Sequence, residues 1–309
     1  MRLWLKIAGG AVAVIAVLIL LAAYFFGPVV GAFLGKPVFL FNASEKRINQ
    51  AMLDFAEATG IYVDSPNFAE AKEAAEADLT NRDLLDAAIH AAGGKHSGVF
   101  ETKDEVEHVS QSPSVEIKDG AVWATVPGVS RTANGQEYAD TVAHGITDHA
   151  EACAAVVDLR GNVGGDMGPM LAGVSPLLPD GPAMSFVGRV NENDVMVEGN
   201  SIHGGGTPTT TSGGKVDLPV AVLVDSETAS SAEATMLAFR GLDYSRSFGE
   251  PTAGYASANV VVDYPDGRSL MMTTARDKAR TGEVFAEDPI HPDAKLSELD
   301  AWLDSYCSE

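Results

Sequence analysis

The stretch PVAVLVDSETASSAE, residues 219–233, decides the fold of this chain. Residues 220–224 form a short, β-branched apolar run of the kind found in strands that are buried on both faces. Residues 225–228 are polar and turn-like, and residues 229–239 predict a helix of small side chains. Ser230 is therefore expected at a helix N-terminus, where free backbone N–H groups and the positive end of the helix dipole converge.

A serine at that place has two interpretations. It could attack a carbonyl carbon while neighbouring amides hold the resulting oxyanion. Alternatively, Ser230-Ser231-Ala232-Glu233 is an S-x-x-E capping box, which begins many ordinary helices. Taken alone, this stretch favours plain capping.

Three further motifs change that balance. AAVVDLRGNVGG, residues 154–165, is a second buried strand that ends in a glycine-rich turn. GGKHS, residues 93–97, places His96 directly after a flexible glycine pair, and GEPTAG occupies residues 249–254. With the stretch at 219–233, these motifs resemble, in type and order, the tail-specific, or C-terminal processing, serine peptidases, and within them the nisin-resistance group.

The resemblance extends from about residue 44 to about residue 293. It implies an α/β (α+β) fold, with a mixed-sheet serine peptidase core of the tail-specific type, an N-terminal helical bundle and a small cap. It implies Ser230 as the nucleophile and His96 as the general base, without metal or cofactor. An imidazole suits this task because its unperturbed pKa lies near neutrality.

The oxyanion hole is expected from Gly164, Gly165 and the amide of Ser231. Glycine lets backbone N–H groups approach a substrate with no Cβ in the way. Two other interpretations of the glycine turn stay open: it could simply join a strand to a helix, or it could bind an anion at that helix end.

Activation of the serine divides this family. In the processing branch a lysine follows the GxTxG turn, whereas here Tyr255 follows it, which removes the Ser–Lys dyad and favours Ser–His chemistry. Lys215 and Lys278 lie in polar, loop-like settings and do not replace it. An acidic residue that orients the imidazole is left open among Glu233, Glu250 and Glu287, and Glu233 could act only in capping. Asn162 and Tyr255 are supporting candidates.

The N-terminal segment is apolar. Residues 7–35 carry no charge. This stretch is long enough to span a bilayer and is longer than the apolar region of a cleaved signal peptide. Arg2 and Lys6 precede it, so the positive-inside bias keeps the N-terminus in the cytoplasm. We favour an uncleaved single-pass anchor with an extracytoplasmic catalytic domain over a cleaved signal sequence.

The expected organisation is an anchor at 1–35, a helical bundle at 36–95 and a protease core with its cap at 96–309, without a PDZ domain. Ile48, Met52 and Phe55 recur at helical spacing, and Ser65-Pro66 predicts the start of a second helix. Asp119-Gly120 predicts a hairpin turn. Residues 180–197 and 204–214 are expected to form a strand pair and a polar loop that cap the cleft. Residues 256–262 are either an ordinary strand or an edge to which a peptide adds.

Charge and cysteines restrict the function further. The net charge of −22 argues against nucleic acid, whose phosphates would be repelled, and is compatible with a cationic peptide, although acidic surfaces also serve solubility. Cys153 and Cys307 are the only cysteines, and neither spacing indicates a metal site. A bridge between them is permitted outside the cytoplasm, but a free, buried Cys153 is favoured.

The resemblance implies a membrane-anchored serine endopeptidase that cleaves a cationic, nisin-like lantibiotic near its C-terminus and so gives resistance. Two alternatives stay open. One is a general processing peptidase that trims the tails of envelope proteins. The other is an immunity protein that binds the lantibiotic without cleaving it.

Overall fold

The computed structural model describes residues 2–102 and 111–307, with side chains from residue 14 onward, so the side chains of Arg2 and Lys6 lie outside it. The helices are α1 (Arg2–Phe33), α2 (Glu45–Thr59), α3 (Pro66–Ala77), α4 (Arg82–Gly93), α5 (Gly135–Thr147), α6 (Met167–Val174), α7 (Ser231–Phe239) and α8 (Leu299–Cys307). The strands are β1 (Gly98–Glu101), β2 (Ser114–Lys118), β3 (Ala121–Thr125), β4 (Ala155–Asp158), β5 (Gly181–Gly188), β6 (Glu192–Glu198), β7 (Ser201–His203), β8 (Thr209–Thr210), β9 (Val220–Val224), β10 (Ser245–Gly249), β11 (Ser257–Asp263), β12 (Arg268–Ala279) and β13 (Val284–Phe285).

The chain divides into two compact units. The first unit is Met1–Glu105 with Asn259–Thr274, and the second is Val106–Ala258 with Ala275–Glu309. His96 therefore belongs to the first unit and Ser230 to the second.

The helical bundle predicted near the N-terminus is present in the first unit. The apolar stripe of α2 (Ile48, Met52, Phe55) is buried, together with the stripe of α4. Helix α3 starts where the sequence indicated, since the Ser65 hydroxyl accepts a hydrogen bond from the Phe68 amide and Pro66 occupies the first turn. Strand β1 pairs antiparallel with the first residues of β12, which carry Leu270 and Met272 into the same core.

Among the described residues, one helix is long and apolar enough to cross a membrane. It is the part of α1 from Val14 to Phe33, and most of its side chains are exposed. Its last turns pack within the first unit, where Ala32 is buried and the Phe33 ring lies 5.2 Å from that of Phe55. An N-terminal helix of this kind is consistent with a membrane or extracytoplasmic location.

The second unit is built on a five-stranded sheet in the order β10-β9-β4-β3-β2. The first four strands are parallel, and β2 is added antiparallel through the predicted Asp119-Gly120 turn. Both turn residues have positive φ, 49° and 82°, as a tight hairpin turn requires.

Alternating residues of the parallel strands cover two opposite faces. Val220, Val222 and Val224 pack with helices α5, α6 and α7, whereas Ala221 and Leu223 pack on the other face with α8. Because the strands are parallel, the loops that follow β4, β9 and β10 leave the sheet at one edge, where ligands of such sheets bind. These loops are the three motifs of the second unit that the sequence singled out.

Strands β5, β6, β7 and β8 form an antiparallel layer of the second unit, which the end of β12 joins. The strand pair expected at 180–197 is thus present as β5 and β6. The loop that follows β7 packs on helix α6, because the Thr207 amide donates to the Asp166 carboxylate at 2.8 Å. Its function as a cap stays a prediction.

Cys153 and Cys307 form a disulfide, so the preference for a free Cys153 was wrong. Sequence patterns could not place Cys307, because its position depends on where α8 packs. Trp302 and Leu303 of α8 lie against Phe248 and its neighbours on the sheet, and this packing brings the helix end to the start of β4. A disulfide is typical of proteins folded outside the cytoplasm.

Removing this disulfide is expected to destabilise the protein. The disulfide joins residues 154 positions apart and so restricts the unfolded chain. Without it the unfolded chain has more conformational entropy, so Cys307→Ser should lower the free energy of unfolding by about 2–5 kcal/mol. Denaturant unfolding of the variant, with Cys153→Ser and the reduced wild type as matched controls, measures this loss. Equal stability of the oxidised wild type and both variants would contradict the prediction.

Candidate active site

Ser230 lies at the sharp turn between β9 and α7, as the N-cap of that helix. Its backbone has φ 56° and ψ −121°, and apart from glycines only Asp119 shares a positive φ among the described residues. Asp119 belongs to a hairpin turn, where such a conformation is common, but a serine at this φ is strained. A strained strand-to-helix turn is a known way to present a nucleophilic hydroxyl.

The glycine-rich turn after β4 lies directly against Ser230. A Cβ placed on Gly164 would come within 2.8 Å of the Ser230 Cβ and 3.3 Å of its Oγ, and Gly164 itself has φ 103°. The next residue is equally confined, because a Cβ on Gly165 would lie 2.0 Å from the Val129 carbonyl oxygen. A larger residue at either position would displace its neighbours, and the structure brings Gly164 and Gly165 together with Ser230 and Ser231.

Asn162 fixes this turn in place. Its buried side chain donates to the Val126 carbonyl at 2.7 Å and accepts from the Gly164 amide at 2.8 Å. Its backbone carbonyl accepts from the amide of Ala229, the residue before Ser230, at 2.9 Å. Asn162 therefore connects the end of β3, the glycine turn and the serine turn.

Two backbone amides beside Ser230 are available as hydrogen-bond donors. The Gly164 amide is engaged by Asn162, but the amides of Gly165 and Ser231 donate to no other residue within the described part of the chain. Ser231 is the first residue of α7, so its amide has no acceptor inside the helix. The Ser231 hydroxyl donates to the Gly165 carbonyl at 2.6 Å, which holds the two residues beside each other.

Glu233 is completely buried and its carboxylate accepts four hydrogen bonds. One oxygen accepts from the Ser230 amide at 2.8 Å and the Tyr255 amide at 2.7 Å, and the other accepts from the Thr252 hydroxyl and the Gly254 amide at 2.9 Å. The bond from the Ser230 amide to Glu233 is the one expected of the predicted capping box. The same carboxylate also binds the GEPTAG turn to the serine turn.

Burial raises the pKa of the Glu233 carboxyl, against the four hydrogen bonds, which favour its ionised form. Asp277 of β12 is a second buried acid in the second unit, and burial followed by the charge of Glu233 raises its pKa well above the usual range. Within the described residues, Asp277 Oδ1 has no hydrogen-bond partner.

Sequence reasoning missed Asp225 and Thr228, which shape the serine turn. Asp225 Oδ1 accepts from the amides of Gly161, Glu227 and Thr228, each within 3.1 Å. The Thr228 hydroxyl donates to the Leu159 carbonyl at 2.9 Å, and the backbone carbonyl of Thr228 accepts from the Ala253 amide. The signal was an aspartate directly after a strand and three residues before a threonine, which is typical of a side-chain-capped turn.

The other candidates from the sequence occupy different settings in the second unit. Glu250 is exposed, and its amide donates to the Val224 carbonyl, while Glu287 is half-buried beside Gly254. Lys215 donates to the carbonyls of Ser175 and Leu178, and Lys278 pairs with Glu192. Both lysines are thus engaged away from the serine turn, as Ser–His chemistry would require.

His96 follows the end of α4 and precedes β1. The glycine pair before it allows a tight turn of the chain, because a Cβ on Gly93 would lie 2.0 Å from the Ser97 Oγ. Ser97 is fixed by Thr273 of β12, whose amide donates to the Ser97 hydroxyl at 3.0 Å. Burial, with the nearby charge of Lys95, lowers the pKa of His96 to about 4, so the ring is neutral at pH 7 and able to accept a proton. Its pairing with Ser230 stays a prediction.

Comparison with known proteins gives matches over most of the chain. The description "Peptidase family S41" belongs to a family model that matches residues 127–296. The nisin-resistance protein of Lactococcus lactis subsp. lactis is 32% identical over 288 residues, which cover 87% of this chain and 90% of that protein.

Two solved structures are similar to this chain over most of its length. A lipoprotein from Streptococcus agalactiae superposes with a TM-score of 0.76 and 25% identity, over 87% of this chain and 99% of that one. The photosystem II D1 C-terminal processing protease shares the fold, with a TM-score of 0.56 and 14% identity over 86% of this chain and 98% of its own. The matched residues 127–296 include the glycine turn, the Ser230 turn and GEPTAG, and the chain belongs to peptidase family S41, a family of serine peptidases.

Proposed function

We propose that this protein is a membrane-anchored, extracytoplasmic serine endopeptidase that cleaves a cationic, nisin-like lantibiotic near its C-terminus. The observation that carries the proposal is the strained Ser230 turn, held between the glycine turn and Glu233. A helix cap alone does not require a positive φ, since N-cap residues ordinarily have an extended backbone. The strain therefore favours a nucleophile over plain capping.

In the proposed reaction, His96 takes the proton of the Ser230 hydroxyl while Oγ attacks the scissile carbonyl carbon. The tetrahedral intermediate collapses, the C–N bond breaks, and His96 returns the proton to the departing amine. Water, deprotonated by His96, then attacks the acyl carbon, the ester C–O bond breaks, and His96 returns the proton to Ser230 Oγ as the carboxylic product leaves. The neutral ring of His96 at pH 7 suits this use, because a general base must be unprotonated before it accepts the proton of the nucleophile.

We assign the oxyanion hole to the amides of Gly165 and Ser231, because both are free of other acceptors in the described structure. Gly164 serves the hole by letting the turn approach Ser230, while its own amide is held by Asn162. Asn162 and Glu233 act as positioning residues, and Tyr255 contributes its amide to Glu233.

The substrate class rests on the relative named a nisin-resistance protein, which this chain matches over almost its whole length. The net charge of −22 supports a cationic peptide, because a negative field raises the rate at which such a peptide arrives. The apolar helix Val14–Phe33 would anchor the enzyme, and the disulfide agrees with an oxidising compartment.

Mass spectrometry of nisin incubated with the full-length protein tests this proposal. We expect the wild type to release a short C-terminal fragment, and Ser230→Ala and His96→Ala to release none, because each removes a group that takes part in bond formation or proton transfer. Ser226→Ala, in the same loop, and His90→Ala, on helix α4, are matched controls that should cleave as the wild type does.

Two other outcomes would indicate different functions. If the wild type binds nisin but leaves it intact, and Ser230→Ala binds it equally, the protein sequesters the peptide and the peptidase proposal fails. If it neither cleaves nor binds nisin but trims C-terminal tails of envelope proteins, the lantibiotic assignment fails and the Ser–His chemistry stands.

A further inference from the structure

The chain turns back sharply after α1 and runs along that helix again. The Lys36 amide donates to the Gly31 carbonyl at 2.8 Å, and the Val38 amide donates to the Gly27 carbonyl at 3.3 Å. The Phe41 ring then lies 6.4 Å from the ring of Tyr24. The residues after α1 therefore return to the level at which the helix enters the first unit.

Exposed aromatic side chains surround this level. Phe25 and Phe26 on the helix are each 66% exposed, and Phe41 on the returning chain is 69% exposed. Large apolar side chains are also exposed along the preceding turns of α1, from Val14 to Leu21. The apolar surface of the helix thus continues onto the folded unit, and a continuous exposed apolar surface of this kind is typical of a site that contacts a membrane or a partner.

The sequence around this level has a local excess of positive charge. Residues 24–50 contain Lys36, Lys46 and Arg47 and one acidic residue, Glu45, a net charge of +2, whereas the net charge of the whole chain is −22. Lys46 is exposed. The neighbouring Arg47 guanidinium lies 3.7 Å from the Tyr24 ring centroid and donates to the Tyr24 carbonyl at 2.5 Å. Arg47 thus lies at the level of the exposed rings, and Lys46 precedes it in the first turn of α2.

Helix α2 shows which end of the unit this is. Arg47 near its start contacts Tyr24, and Phe55 near its end contacts Phe33, so α2 runs parallel to α1. At 1.5 Å per residue, Glu57 lies about 15 Å farther along α2 than Arg47. Lys72 of α3 pairs with Glu57, so that part of α3 belongs to the far end.

We propose that Tyr24, Phe25, Phe26 and Phe41, with Lys46 and Arg47, form a membrane collar that lies in the headgroup region of an anionic bilayer. Aromatic rings concentrate at membrane interfaces, and lysine and arginine bind anionic headgroups. The helical unit then rests on the bilayer surface, because α1 continues without a linker from the apolar span into the unit. This inference depends on the proposed anchoring by α1 and is independent of the peptidase chemistry.

Spin labelling of the full-length protein in vesicles tests the collar. Since the two native cysteines are bridged, a nitroxide can be attached to Phe41→Cys, and to Glu73→Cys at the far end of the unit as the control. In phosphatidylglycerol-containing vesicles, the label at 41 should collide more often with oxygen than with a water-soluble nickel chelate, and the label at 73 should show the reverse. Lys46→Glu, or vesicles of phosphatidylcholine alone, should lower the oxygen-to-nickel collision ratio at 41.

The possible failures are distinguishable. If the protein sediments with the vesicles but both labels are equally accessible to the nickel chelate, the collar is refuted and the anchor stands. If the protein does not sediment with vesicles, the anchor fails and the collar with it. If neither lipid charge nor Lys46→Glu changes the oxygen-to-nickel collision ratio of the label at 41, the role assigned to the cations is refuted.

Discussion

Gly164→Ala is expected to lower kcat/KM for peptide cleavage by at least about 100-fold while the protein still folds. The new Cβ would lie 2.8 Å from the Ser230 Cβ and 3.0 Å from the Ala229 carbonyl, both closer than ordinary contacts. Because the Ser230 turn is already strained, it must shift away, and displacement of a reacting group by about 1 Å costs on the order of 100-fold in rate.

Gly161→Ala is the matched control for this variant. Gly161 lies in the same turn and also has a positive φ, 69°, so alanine there costs about 1–3 kcal/mol of stability through the backbone alone. However, its Cβ would meet only the Glu227 carboxylate, at 3.8 Å. Steady-state kinetics and thermal unfolding should show a loss of stability in both variants and a loss of activity in Gly164→Ala alone. Equal loss of activity in both would show that backbone strain, and not contact with Ser230, is responsible.

Glu233→Gln is expected to lower both stability and kcat. The amide nitrogen that replaces one carboxylate oxygen cannot accept a hydrogen bond, so two of the four donors lose their acceptor in a buried site. An unsatisfied buried donor costs about 1–3 kcal/mol, which gives a loss of about 2–6 kcal/mol in the free energy of unfolding. The carboxylate joins the Ser230 turn to the GEPTAG turn, so loss of either oxygen as an acceptor loosens the support of the nucleophile.

Kinetics can separate the positioning effect from general destabilisation. At a temperature where the variant is fully folded, kcat should fall while KM changes little, because Glu233 is buried and does not touch the peptide. Glu227→Gln makes the same change on an exposed residue of the same loop and should leave kcat and stability unaltered. A Glu233→Gln enzyme with wild-type kcat would refute the positioning role.

Local patterns in the sequence were enough to predict much of the fold. The β-branched run of β9, the Asp119-Gly120 hairpin and the Ser65-Pro66 helix start depend on neighbours in the chain, and all three are present. The position of Ser230 at the start of a helix follows from the same local logic. The motifs that indicated family S41 are likewise short and contiguous.

What only the tertiary structure decided are contacts between residues far apart in sequence. The function of Glu233 as a shared acceptor depends on Tyr255, which lies 22 positions away, and the approach of Gly164 to Ser230 joins loops from two different strands. The Cys153–Cys307 disulfide spans 154 positions and depends on where α8 packs against the sheet. The sequence by itself therefore determined the elements and the chemical groups they carry, because propensity and turn chemistry act over a few residues. Which groups meet was decided by the parallel sheet, because it places the ends of distant strands at one edge.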